Sequence, residues 1–155
     1  MTGYATIFDM ANAARAIIIE NNKMLLMHRN KDGKLYFTLV GGRLNGDETP
    51  EQALSREVKE ETGLDVINCR LVYMEEHSEP YNHQYIFLCN VAPHGDIAIQ
   101  DASEEALLNR ISTNVHRPLW VDTSSFATLP FLTMRLQNAI ATALKKGFPE
   151  EPIKL

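Results

Sequence analysis

The order of apolar and polar positions divides the chain into strands first. Residues 12–19 (NAARAIII) and 23–29 (KMLLMHR) are two apolar, strand-like runs around Glu20-Asn21-Asn22, which predicts a hairpin with a short polar turn. A second turn is expected at Asn30-Lys31-Asp32-Gly33. It is followed by a short apolar run, Leu35–Val40, that ends at Gly41-Gly42. Residues 65–74 and 83–91 (HQYIFLCNV) again predict strands, joined by the polar stretch from His77 to Asn82, and Leu119-Trp120-Val121 predicts one more. Residues 103–109 fit a short helix or a loop.

Two segments carry helical signals instead. In the first, Thr49 is placed to cap a helix, Pro50 suits its first turn and Gln52 stands three residues after Thr49, as in a capping box. Gly63 is placed to end it, and Leu54 and Val58 give it one core-facing stripe. The second runs over Leu132–Lys145, with Leu132, Leu136, Ile140 and Leu144 at i, i+4 spacing. The tail after Gly147, rich in Pro and Glu, is expected to be loosely held. Strands, helix, strands and helix in that order predict a mixed sheet with helices on its faces.

With 155 residues, no internal repeat and no linker-like composition, a single domain over residues 1–155 is expected. The net charge of −5 argues against a large nucleic-acid footprint, which needs a basic surface. It leaves room for a small polyphosphate ligand, because a bound cation supplies positive charge locally. Cys69 and Cys89 lie in apolar strand-like stretches with no CxxC spacing and are expected to be reduced, small hydrophobes. The longest aliphatic run, Ala16–Ile19, is far too short to span a membrane, and Asp9 and Arg15 interrupt any N-terminal signal, so a cytoplasmic protein is expected. The five histidines do not show metal-ligand spacing and are expected on the surface or in loops.

The chemistry is concentrated in the first helix. At about 100° per residue, Glu57, Glu60 and Glu61 fall in one sector of one face. Like charges at this spacing repel, and near a helix C-terminus the macrodipole disfavours them further. A hard divalent cation reverses that penalty, and carboxylate oxygens are the ligands Mg²⁺ or Mn²⁺ takes. Three glutamates alone also describe a solvated acidic face, so the surroundings decide. Gly42, Glu48, Arg56, Glu57, Val58, Glu60, Glu61, Gly63 and Leu64 stand at fixed intervals in GRLNGDETPEQALSREVKEETGL.

That run resembles the Nudix box, Gx5Ex7REUxEExGU with U a bulky aliphatic residue, and all nine specified positions are filled. The resemblance implies an α/β fold, the Nudix α/β/α sandwich with a mixed β-sheet flanked by helices. It also implies divalent-metal-dependent hydrolysis of a pyrophosphate bond in a nucleoside diphosphate linked to another moiety, of the ADP-ribose, nucleotide-sugar or dinucleotide type. A MutT-like nucleoside triphosphate pyrophosphohydrolase of the 8-oxo-dGTP type is the alternative, and a non-catalytic nucleotide-sensing domain the third. By motif position, Glu57, Glu60 and Glu61 would hold Mg²⁺ or Mn²⁺ with a backbone carbonyl near Gly41–Gly42, so Gly42 joins the metal set. Glu48 and Arg56 would pair and fix the carboxylates. Glu57, Glu60 and Arg56 are the catalytic candidates, with the general base at Glu57 or Glu60, or on a later loop at Glu104 or Glu105. Gly42 and Gly63 would serve backbone geometry.

Substrate residues are sought outside the box. Pro80 and Tyr81 resemble subfamily markers for ADP-ribose and for dinucleoside polyphosphates, and with Glu104 and Glu105 they are the substrate-binding candidates. Val40 departs from the proline the family often carries before its paired glycines. The expected partner is a small nucleotide, with no large nucleic acid and no membrane, and the resemblance allows a homodimer.

Overall fold

The computed structural model describes residues 12–76, 83–99, 106, 109 and 114–155. Seven strands form one mixed sheet: β1 (Ala13–Glu20), β2 (Lys23–Lys31), β3 (Lys34–Arg43), β4 (Val66–Glu76), β5 (His83–Val91), β6 (Asn114–Asp122) and β7 (Ile153–Lys154). Their order is β6-β2-β3-β1-β5-β4-β7, with β1 also paired to β2. Helix α1 (Pro50–Thr62) covers one face, and α2 (Met134–Lys146) with a 3-10 helix (Thr123–Thr128) covers the other.

Local chemistry explains the hairpins. Asn21 and Asn22 (φ 52° and 62°) and then Asp32 and Gly33 (φ 52° and 83°) adopt the left-handed conformation at both central positions of two-residue turns. Asn, Asp and Gly tolerate this, and its twist suits tight hairpins. The turns set the registers Glu20↔Lys23 and Lys31↔Lys34. β3 is shared: its first part pairs with β2, and its end, Val40–Arg43, turns to pair with Ala13–Ala16 of β1. The chain then crosses over through α1 and β4, so that β5 runs parallel to β1.

Two apolar cores result. One, beneath α1, joins Ala53, Leu54 and Val58 to Ala14, Ala16, Ile18, Val40 and Phe87. The other, beneath α2, joins Leu136, Ile140 and Phe126 to Ile17, Leu26, Leu39 and Ile86. Each fully buried Leu, Ile or Val contributes roughly 1.5–3 kcal/mol by leaving water. Cys69 and Cys89 are free thiols that face one another across β4 and β5. Burial pushes both thiols above the ordinary range.

The expectations hold for most elements and differ at three places. The second helix begins at Met134, capped by Thr133, so Leu132 lies outside it and is 53% exposed. The C-terminal tail is an edge strand: β7 pairs parallel with β4, Leu155 N donates to Met74 O at 2.8 Å, and Arg70 reaches the Pro149 carbonyl. Backbone pairing, rather than composition, decides there. His116 is neither in a loop nor on the surface but 8% exposed in β6. The suggested helix or loop at 103–109 falls mostly outside the described residues. Among the described residues, no helix is long and apolar enough to cross a membrane.

Burial, followed by the positive charges of Arg29 and Arg15, holds the His116 imidazole down to about 4. The unfolded chain takes up this proton near the ordinary 6.5. Between those values the unfolded state binds more protons, so the stability His116 contributes is present above pH 6.5 and is lost as the pH falls towards 4. The slope from this one group reaches at most about 1.4 kcal/mol per pH unit. His116→Asn is expected to flatten the fall in urea-denaturation free energy across that window. Equal slopes for the two proteins would contradict the assignment.

Candidate functional site

The site forms where α1 crosses the end of β3. Thr49 caps the helix with a complete capping box, its hydroxyl accepting from Gln52 N and the Gln52 side chain accepting from Thr49 N. Gly63 closes the helix with φ 79° and its N–H on the Lys59 carbonyl. With Leu54 and Val58 locked in the core, the helix has no freedom to rotate, and Glu57 and Glu61 are carried inward, 8% and 3% exposed.

Gly42 explains how a carboxylate fits there. A Cβ on Gly42 would lie 2.6 Å from the Glu57 Cδ and 2.7–2.9 Å from its oxygens. The carboxylate therefore occupies the space a side chain would fill. Gly42 has no left-handed φ, so the expectation that it serves backbone geometry is corrected: it is required as empty volume. The backbone constraint belongs to its neighbour. Gly41 has φ 138°, and a Cβ there would come within 2.1 Å of the Ala14 carbonyl oxygen.

Arg56 organises the acidic groups. Its Nε and Nη2 grip Glu48 at 2.8 and 3.0 Å, Nη1 reaches Glu57 Oε1 at 2.9 Å and Glu60 Oε2 at 3.4 Å, and Nη2 also donates to the Arg43 carbonyl at 2.9 Å. Glu48 is fixed further by Asn45 N at 2.7 Å. The bidentate bond to Arg56 holds the Glu48 carboxyl below its ordinary range and the guanidinium above its own. For Glu57 burial wins: loss of water pushes its carboxyl up, and Arg56 offsets only part of that.

The three motif glutamates are not equivalent. Glu57 keeps Oε2 buried with no hydrogen-bond partner. Glu61 accepts from the Gly41 N–H at 3.3 Å. The side chain of Glu60 is 38% exposed and turned towards Arg56. Among the described residues, no three carboxylate, imidazole or thiolate groups are already gathered as a ligand set. The donors nevertheless suit a hard cation: a buried, unpartnered carboxylate oxygen seated on a glycine, with two further carboxylates one helical turn along. Pro80, Tyr81, Glu104 and Glu105 lie outside the described residues.

The structure adds residues that motif reading missed. Arg15 Nη1 donates to the Gly41 carbonyl at 2.9 Å, so Gly41 is held through its N–H by α1 and through its oxygen by β1. Arg15 Nε is oriented by Gln84 Oε1 at 3.0 Å. Gln84 Nε2 lies 3.4 Å from Glu75, which accepts from the Thr133 hydroxyl at 2.5 Å. The cap of α2 is thus connected to the glycine pair. The available signal was an arginine interrupting an apolar strand, with Gln84 and Glu75 at inward positions of neighbouring strands.

The comparisons agree with this geometry. A family model described as NUDIX domain matches residues 10–130. An 8-oxo-dGTP diphosphatase of Proteus vulgaris is 37% identical over 73 residues, covering 46% of this chain and 65% of that protein. An ADP-ribose pyrophosphatase of Methanocaldococcus jannaschii is 36% identical over 108 residues, covering 66% of this chain and 63% of that protein. The matched stretches span less than two thirds of these relatives. Among solved structures, a Nudix hydrolase from Nitrosomonas europaea superposes with a TM-score of 0.65 at 20% identity, over 89% of this chain and 90% of the other, a likeness of fold. With the family model covering most of the chain and the motif residues assembled where α1 meets β3, the protein belongs to the Nudix family.

Proposed function

We propose that the protein is a pyrophosphohydrolase that cleaves a nucleoside diphosphate linked to a further group, using Mg²⁺ or Mn²⁺. We also assign residues 1–155 to one domain carrying that activity in the cytoplasm. The observation that carries this reading is the Glu57 carboxylate, buried on Gly42 with Oε2 unpartnered. An uncompensated buried charge is costly, so a structural carboxylate would be expected to complete its hydrogen bonds. A ligand-binding one keeps an oxygen for its ligand.

In this reading Glu57, Glu60 and Glu61 would hold the cation; Glu57 and Glu61 are buried, and the Glu60 side chain is 38% exposed. The Gly41–Gly42 backbone, held by Arg15 and Glu61, lies beside them. The bound cation would neutralise the diphosphate and lower the pKa of an attacking water. Arg56 keeps Glu57 and Glu60 in position and offsets their mutual repulsion. Either of those two remains the candidate to accept the water's proton. Positioning and charge compensation are what phosphoryl chemistry asks of a protein.

The test is a nucleotide panel with Mg²⁺ or Mn²⁺: ADP-ribose, diadenosine polyphosphates, sugar nucleotides, normal nucleoside triphosphates and 8-oxo-dGTP, with products separated by chromatography. Cation-dependent cleavage of a diphosphate-linked substrate is expected. Preference for a triphosphate would move the protein to the MutT-like alternative, and no cleavage by a folded, nucleotide-binding protein would leave a sensor.

Glu57→Gln is expected to lower kcat by at least about 100-fold, the scale for loss of a group stabilising charge in the transition state, while the protein stays folded. Full activity would remove Glu57 from the site. Gly42→Ala makes the complementary prediction. Its Cβ meets a flexible side-chain end, so stability should change by no more than about 1 kcal/mol. Activity should fall with it, because Glu57 is displaced. Unchanged kcat in that variant would show that the seat on Gly42 is not needed.

A further inference from the structure

The face of the sheet opposite Glu57 carries a chain of polar side chains through an otherwise apolar layer. Arg15, Gln84 and Glu75 stand two residues from Ile17, Ile86 and Tyr73 on β1, β5 and β4, and so share their face, the one beneath α2. Gln84 and Glu75 are direct partners across their strands, 7% and 2% exposed. Burying such groups carries a desolvation cost that an apolar pair would not incur, so the chain calls for a reason besides packing.

The hydrogen bonds along it have one direction. Arg15 Nε is a donor, so the Gln84 atom 3.0 Å away is the amide oxygen. The Gln84 amide nitrogen then faces Glu75, whose Oε1 lies at 3.4 Å. Glu75 Oε2 accepts from the hydroxyl of Thr133, the N-cap of α2. A Gln84 amide turned end for end would set donor against donor at Arg15 and acceptor against acceptor at Glu75. Glu75 therefore fixes which way Gln84 points, and Gln84 fixes the guanidinium of Arg15.

The far end of the chain is the Gly41 carbonyl, which accepts from Arg15 Nη1 at 2.9 Å. Two successive glycines give this backbone little preference of its own for one orientation, so its partners set it. The Gly41 N–H donates to Glu61 Oε2 at 3.3 Å. A displacement of Gly41 is thereby passed to a motif carboxylate on the α1 side.

We infer that Gln84 and Glu75 are positioning residues of the cation site, acting from the α2 side of the sheet through Arg15 on the Gly41 backbone and Glu61. The inference rests on the reading of Glu57, Glu60 and Glu61 as cation ligands. Groups that orient ligands without touching the metal ordinarily change its affinity by about ten- to a hundredfold when removed.

Gln84→Met and Glu75→Met test this. Each is close in size to the residue it replaces, and the second carries the test if the first does not fold. Mn²⁺ affinity of the nucleotide-free proteins would be measured by electron paramagnetic resonance, and the Gly41 carbonyl carbon signal by NMR on the metal-free proteins. The parent is expected to bind Mn²⁺ in a manner that Glu57→Gln abolishes. Each folded variant should bind Mn²⁺ at least about tenfold more weakly and should move the Gly41 signal. A merely structural role would lower the melting temperature and leave both readouts where they are in the parent. Unchanged Mn²⁺ affinity in the folded variants overturns the inference and leaves the cation reading standing. Weaker Mn²⁺ binding with an unmoved Gly41 signal overturns it too, because the effect then travels by another route. A parent without Glu57-dependent Mn²⁺ binding overturns the cation reading and this inference with it.

Discussion

A carboxyl group buried against a glycine is the constraint around which this protein is arranged. Glu57 lies in a space that exists only because Gly42 has no side chain, and burial raises the cost of its ionised form. Arg56 returns part of that cost, and it can do so only because Glu48 and the Arg43 carbonyl hold its guanidinium in one plane. What is left is a carboxylate oxygen facing no protein donor. A fold selected for stability alone would have completed that bond or replaced the acid. A member of a family whose chemistry uses divalent cations has reason to keep it.

The sheet exists, in functional terms, to hold the glycine pair still. β3 serves two partners, β2 along its first part and β1 at its end, and the change of partner falls between Leu39 and Val40, so that Gly41-Gly42 lie in the stretch paired with β1. The close approach of Gly41 to the Ala14 carbonyl is the local consequence. Helix α1 then fixes the Gly41 N–H through Glu61, and Arg15 fixes the carbonyl from the other side. Arg15 depends in turn on Gln84, Glu75 and the cap of α2. Packing of both helices thus reaches the site through hydrogen bonds as well as through the apolar cores.

The sequence made the helix and its charge pattern legible because both depend on local spacing: a capping box, a terminal glycine and carboxylates three and four residues apart. The hairpins were legible for the same reason, as turn residues flanking apolar runs. What was hidden depends on contacts distant in sequence. The reason for Gly42 is a side chain fifteen residues further along, and no backbone rule reveals it. The Arg15, Gln84 and Glu75 network joins three strands. The tail reads as polar and loose, yet β4 offers it an unpaired edge. His116 reads as an ordinary histidine until its neighbours across β2 bury it beside Arg29. The substrate candidates chosen by likeness, Pro80 and Tyr81, lie outside the described residues.

The most direct test of the central claim is anomalous diffraction at the manganese edge from crystals soaked in Mn²⁺. A peak within coordination reach of the Glu57 carboxylate, beside the Gly41–Gly42 backbone and absent from Glu57→Gln crystals, is the predicted result. A peak elsewhere, or one that persists at this place when Glu57 is replaced, would contradict the account.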